Sequence, residues 1–181
     1  MLKIILIAAL AILSIECYLM GSITSFIQRR VLFADILKLL ISAIIVSIFF
    51  TLGIYLGNII EHALPQFSNW YSATLFFIFS IKMMYDGFKL YKIKRSVNPI
   101  NWQGFSILTS VVSINGFLIG LGFGLLGCEL SNSYFSIIIL TFSTLVGYLI
   151  GFRIKKLNQG RYELFAAVFY LIIAIIIAIN K

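Results

Sequence analysis

Charge is what this sequence has least of. Only 11% of its 181 residues are charged, against 61% apolar, and mean hydropathy is +1.07. A soluble domain of average make-up carries about 25% charged residues, so a soluble fold is excluded. Metal-binding side chains are almost missing too. There is one histidine, His62, and there are two cysteines, Cys17 and Cys128. That set cannot build a four-ligand zinc site. Cys17 falls in mid-span and Cys128 near a membrane surface, so both are expected as buried thiols outside any disulfide. A phosphate-binding loop, a catalytic triad and a dinucleotide fingerprint are absent. The serines have no histidine or carboxylate neighbour for nucleophilic work, so an enzyme is not expected. Short strands of strict alternation, the mark of a membrane β-barrel, are also lacking.

What is present is a series of long apolar runs. Six can be read, at roughly 4–27, 36–60, 69–90, 104–127, 134–152 and 162–180. Each is long enough to cross a hydrocarbon core of about 30 Å as a helix rising 1.5 Å per residue. The expected fold is an all-α membrane protein of six transmembrane helices, with little chain left for a soluble domain. Pro99, in the stretch 96–103, reads as a loop between spans three and four.

The net charge of +8 invites a nucleic-acid reading, but its distribution argues for topology. Arg29, Arg30, Lys38, Lys89, Lys92, Lys94, Arg95, Arg153, Lys155, Lys156 and Arg161 place 11 of the 14 basic residues around alternate connections. The other two connections carry Glu61, His62 and Glu129 instead. The positive-inside rule then puts loops one, three and five in the cytoplasm and both termini outside. The expected partners are the lipid bilayer and a transported solute, with no nucleic acid. The basic loops are compatible with attraction to anionic lipid. The start resembles a lipoprotein signal up to Cys17, but Glu16 stands where cleavage needs a small residue.

Two stretches repeat. SIECYLMGSITS at 14–25 aligns with SINGFLIGLGFG at 113–124, an offset of 99. Cys17, Gly21 and Ser25 thereby match Gly116, Gly120 and Gly124. Small residues at spacing four form a ridge that lets membrane helices approach closely. Gly53 and Gly57 likewise match Gly147 and Gly151, at an offset of 94. Three spans per half force opposite orientations. The expected architecture is two inverted three-helix repeats, residues 1–95 and 96–181, forming one membrane domain.

The repeat pairs Glu16 with Asn115 near mid-membrane. A lone carboxylate there disfavours insertion by roughly 2.5–3.5 kcal/mol, so it is expected to have a use. Ser14 and Ser113 sit close by in sequence. Carboxylate, amide and hydroxyl oxygens suit a hard divalent cation such as manganese or magnesium. The other reading of Glu16 is proton exchange, because desolvation favours the neutral acid. A structural hydrogen bond inside the bundle is the plain alternative for both residues. Lys82 and Asp86, four apart in span three, share a helical face. Lys82 could balance Glu16 when no cation is bound, with Asp86 at the cytoplasmic approach. Alternatively the two form a self-contained pair.

With these residues in view, the chain resembles the manganese efflux pump family (MntP-type), including its sporulation membrane protein branch (YtaF-type). The matching motifs are Ser14-Ile15-Glu16-Cys17-Tyr18 and Ser113-Ile114-Asn115-Gly116-Phe117. Lys82, Asp86, Gly87 and Phe88 resemble its span-three signature, and residues 100–117 look most like the sporulation branch. The resemblance implies six spans in two repeats, and paired mid-membrane aspartates as cation ligands required for export. Here those positions hold Glu16 and the neutral Asn115, so one negative charge is lost. The transport-site candidates are Glu16, Asn115, Ser14, Ser113, Lys82 and Asp86, with Glu16, Asn115 and Asp86 as metal ligands. The expected function is secondary export of divalent cations, manganese first, from a bacterial plasma membrane. Protons are the expected coupling ion, and no resident cofactor is expected. The alternatives are a non-transporting scaffold of the same family used in sporulation, and an exporter of another small solute.

Overall fold

The computed structural model describes residues 2–28, 33–92, 102–128, 133–151 and 159–179. Six helices fill them: α1 (Leu2–Gln28), α2 (Phe33–Ala63), α3 (Ser68–Lys92), α4 (Trp102–Leu125), α5 (Ser133–Gly151) and α6 (Gln159–Ile179). Arg29, Arg30, Lys94, Arg95, Pro99, Glu129, Arg153, Lys155 and Lys156 lie outside the described residues.

The helix ends have local causes. α2 stops at Ala63, just ahead of Pro65, because a proline disfavours helical geometry in the residue before it. α4 ends at Leu125 rather than at the expected 127. Gly127 has φ +69°, and its N–H donates to the Gly124 carbonyl at 2.9 Å while Cys128 N–H donates to Phe123 at 3.2 Å. That is the glycine cap that closes a helix with a left-handed residue.

Among the described residues, three helices are long and apolar enough to cross a membrane by length and composition: Phe33–Ala63, Trp102–Leu125 and Arg161–Ile179. α1 and α5 contain shorter apolar stretches, Ala9–Ser25 and Phe135–Gly151. α3 carries Lys82, Asp86, Lys89 and Lys92 along its second half. The outer face is oily. Ile41, Ile44, Ile48, Leu52, Tyr55 and Ile59 are exposed down one side of α2. Phe165, Val168, Ile172, Ile175 and Ile179 do the same on α6. Contiguous apolar surface of this extent marks a lipid-facing wall rather than a water-facing one. Several buried hydroxyls are satisfied within their own helices, as Thr24 to Met20 O at 2.9 Å and Ser47 to Ala43 O at 2.9 Å. In an apolar surround that is the economical solution for a hydroxyl.

The principal helix pairs are α2 with α4, α3 with α6, and α1 with α5. Glycines set two of them. A Cβ on Gly120 would strike the Phe50 carbonyl, and one on Gly53 would strike that of Phe117. In the α1–α5 pair, a Cβ on Gly21 would strike Thr144 O, and one on Gly147 would strike Tyr18 O. Gly57 meets Leu121 and Gly124, whereas Gly151 meets Ser22 and Ser25. Both pairs therefore bring backbone against backbone, as small-residue ridges allow. The third pair, α3 with α6, is tied by Ser80 Oγ donating to Ala167 O at 2.7 Å. Four buried aromatics pack along these helices. Phe76 meets Phe123 at 5.4 Å and Tyr170 at 6.3 Å, and Phe79 meets Tyr170 at 4.8 Å between ring centroids.

Candidate functional site

Glu16 stands mid-way along α1 and is only 9% exposed. Its Oε2 accepts a hydrogen bond from Asn115 Nδ2 on α4 at 2.9 Å. Asn115 Oδ1 in turn accepts from Lys82 Nζ on α3 at 2.5 Å. The orientation of the amide is chemically forced, since a carboxylate can only accept and an ammonium can only donate. A neutral asparagine thus bridges a negative and a positive group, one end to each. Hydrogen bonds to charged groups contribute roughly 1.5–3 kcal/mol each. The Lys82 ammonium also lies 4.0 Å from Asp86 and 5.4 Å from the centre of the Phe79 ring. Met83 Sδ is 4.0 Å from the Asn115 amide nitrogen.

Asp86 therefore joins the group through Lys82, not by meeting Glu16 or Asn115. The two serines are turned elsewhere. Ser14 Oγ donates to Ala11 O at 2.6 Å, and its own carbonyl accepts from Ser143 of α5 at 2.7 Å. Ser113 is buried without a hydrogen-bond partner. It precedes Gly120 by seven residues, two helical turns, which puts it on the face that packs against α2. Cys17 and Cys128 are both buried, and neither is in a disulfide. Among the described residues, no group of three or more His, Cys, Asp or Glu is arranged to hold a metal ion. As it stands, the site is a hydrogen-bonded relay, with one Glu16 oxygen (Oε1) buried and unpartnered.

Two residues of this region escaped the sequence reading. Glu163, near the start of α6, has a buried, unpartnered Oε2 and lies within electrostatic reach of Asp86, Glu16 and Lys82. The Ser80–Ala167 bond explains why. Glu163 is four residues before Ala167 and Asp86 six after Ser80, so antiparallel packing brings them to within about 3 Å of the same level. The signal available in the sequence was a lone acid at the edge of span six. Tyr170, fully buried on α6, is the second, and its hydroxyl has no hydrogen-bond partner. Three carboxyl groups thus gather around one ammonium.

Residues 30–178 match the model of the family described as "Putative manganese efflux pump". The chain belongs to that family. The matched range takes in Asn115, Lys82, Asp86, Glu163 and Tyr170, whereas Glu16 precedes it. Among curated proteins, this member is similar to the "Putative manganese efflux pump MntP" of Oceanobacillus iheyensis. The two are 28% identical over 109 residues, which is 58% of this chain and 57% of the relative. The chain thus spans little more than half the length of that relative. No solved structure matches it.

Proposed function

We propose that this family member is a secondary exporter of divalent cations, with manganese as cargo. Its access alternates around Glu16 and Asn115, and protons are the coupling ion. The observation that carries the reading is the buried Glu16, one oxygen held by Asn115 and the other unpartnered. A buried charge of this kind in an apolar bundle marks a pathway. Three carboxyl groups, Glu16, Asp86 and Glu163, gather around the one ammonium of Lys82, and carboxyl oxygens suit a cation better than an anionic solute. Lys82 is the resident counter-charge and withdraws from Asn115 when cargo arrives. Asp86 and Glu163 line the cytoplasmic approach.

The architecture that goes with this reading is six spans in two inverted repeats, residues 1–95 and 96–181, with both termini outside. The glycine contacts support it. Gly21 meets Thr144 as Gly120 meets Phe50, and Thr144 and Phe50 are related by the same offset of 94 that relates the glycines of α2 and α5. Gly147 meets Tyr18 as Gly53 meets Phe117, at the offset of 99. The test is manganese uptake by everted vesicles containing the pure protein, with proton movement followed in parallel. Glu16→Gln is expected to abolish uptake while leaving the protein folded. Equal uptake by that variant would sink the reading.

A second reading is favoured by the closure of the Glu16–Asn115–Lys82 relay, in which opposite charges already satisfy one another. It is a non-transporting scaffold of the sporulation branch. Absence of flux with any cation, together with unchanged manganese tolerance in a Glu16→Gln strain, would select it.

A further inference from the structure

Among the buried, unpartnered polar atoms of this region, Glu16 Oε1 on α1 and the Tyr170 hydroxyl on α6 stand on different helices. A buried polar group left unsatisfied costs about 1–3 kcal/mol, so each one asks for an explanation. A run of contacts links the two. Glu16 binds Asn115, Asn115 binds Lys82, the Lys82 ammonium sits over Phe79, and the Phe79 ring packs edge-on to Tyr170. The Glu16 carboxylate lies within electrostatic reach of the Tyr170 hydroxyl. Side chains on a helix lean toward its N-terminus. From Tyr170 that direction leads back toward Ala167, which is level with Ser80 and within a turn of Lys82. Phe76 and Phe79 clamp the ring, so its hydroxyl is held in place.

The hydroxyl adds nothing to this packing. A phenylalanine would fill the same aromatic cluster without burying an unpartnered oxygen. The geometry points to Tyr170 as a further ligand of the cargo: its hydroxyl oxygen and Glu16 Oε1 together take a hard divalent cation at the carboxylate oxygen that Asn115 leaves unused. This rests on the export reading above, and it supplies an oxygen from α6 where Asn115 supplies no charge. Oxygen donors of this kind suit manganese and magnesium.

The test compares wild type and Tyr170→Phe in purified form. Manganese affinity is measured by titration calorimetry, and thermal stability is measured without metal. Tyr170→Phe is expected to bind manganese about 10- to 100-fold more weakly, with a melting temperature equal to or above that of wild type. Unchanged affinity in a folded variant would overturn the assignment and leave the export reading intact. Failure of the wild type to bind manganese would overturn both. Should the variant not fold, the near-ultraviolet difference spectrum of wild type on adding manganese decides. A perturbed tyrosine band supports the assignment, and its absence overturns it.

Discussion

The α1–α5 and α2–α4 pairs pack alike, yet the polar residues they carry differ. Gly21 and Gly147 close one pair against backbone carbonyls, and Gly120 and Gly53 close the other in the same manner. At the level of Glu16 and Asn115 the likeness ends. One helix contributes a carboxylate and the other an amide, and the amide is held by Lys82. Packing tolerates no added atom at the glycines, so the two interfaces share a common form. The polar position is held by hydrogen bonds, and these accept either a charge or a dipole as long as the partner is complementary.

The comparison can be broken most severely at the glycines. Gly120→Leu and Gly21→Leu should be about equally damaging, each at or beyond the about 3 kcal/mol upper end of ordinary overpacking. The readout is loss of monodisperse protein in detergent size-exclusion. A tolerated substitution at one and not at the other would show that the two interfaces are not equivalent. A smaller effect comes from making the polar position symmetric. Asn115→Asp restores a second carboxylate beside Lys82 and should keep or strengthen export, with manganese affinity higher by on the order of tenfold. Weaker binding in that variant would mean that the amide bridge itself is the useful feature. The smallest effect is expected at the polar tie of the third pair. Ser80→Ala removes the bond to Ala167 O and should cost about 1 kcal/mol, seen as a lower melting temperature by about 2–4 °C.

Much of this was legible along the chain. The apolar runs predict six helices, and the bounds differ by a few residues where Pro65 and Gly127 set the ends. The repeat pairs Glu16 with Asn115, and the structure brings them to 2.9 Å. Lys82 was expected to face either Glu16 or Asp86. It pairs with Asp86 at 4.0 Å and also bonds Asn115, which links it to Glu16. Ser14 and Ser113 flank the pair in sequence, but Ser14 Oγ turns back to Ala11 O of its own helix and Ser113 lies on the face of α4 that packs against α2. Residues two apart on a helix point about 200° apart, so neighbours in a motif need not be neighbours in a site.

The sequence by itself determined the solvent, the helices and the positions where backbones can touch. Hydropathy, charge placement and glycine spacing are properties of the chain read locally. Only the tertiary structure decided which side chains share one polar space. It placed the amide of Asn115 between Glu16 and Lys82, and it turned Glu163 and Tyr170 of α6 toward the same region. Those choices depend on the rotation and axial level of each helix against its neighbour. They are set by packing across the bundle, such as the Ser80–Ala167 tie and the aromatic clamp on Tyr170.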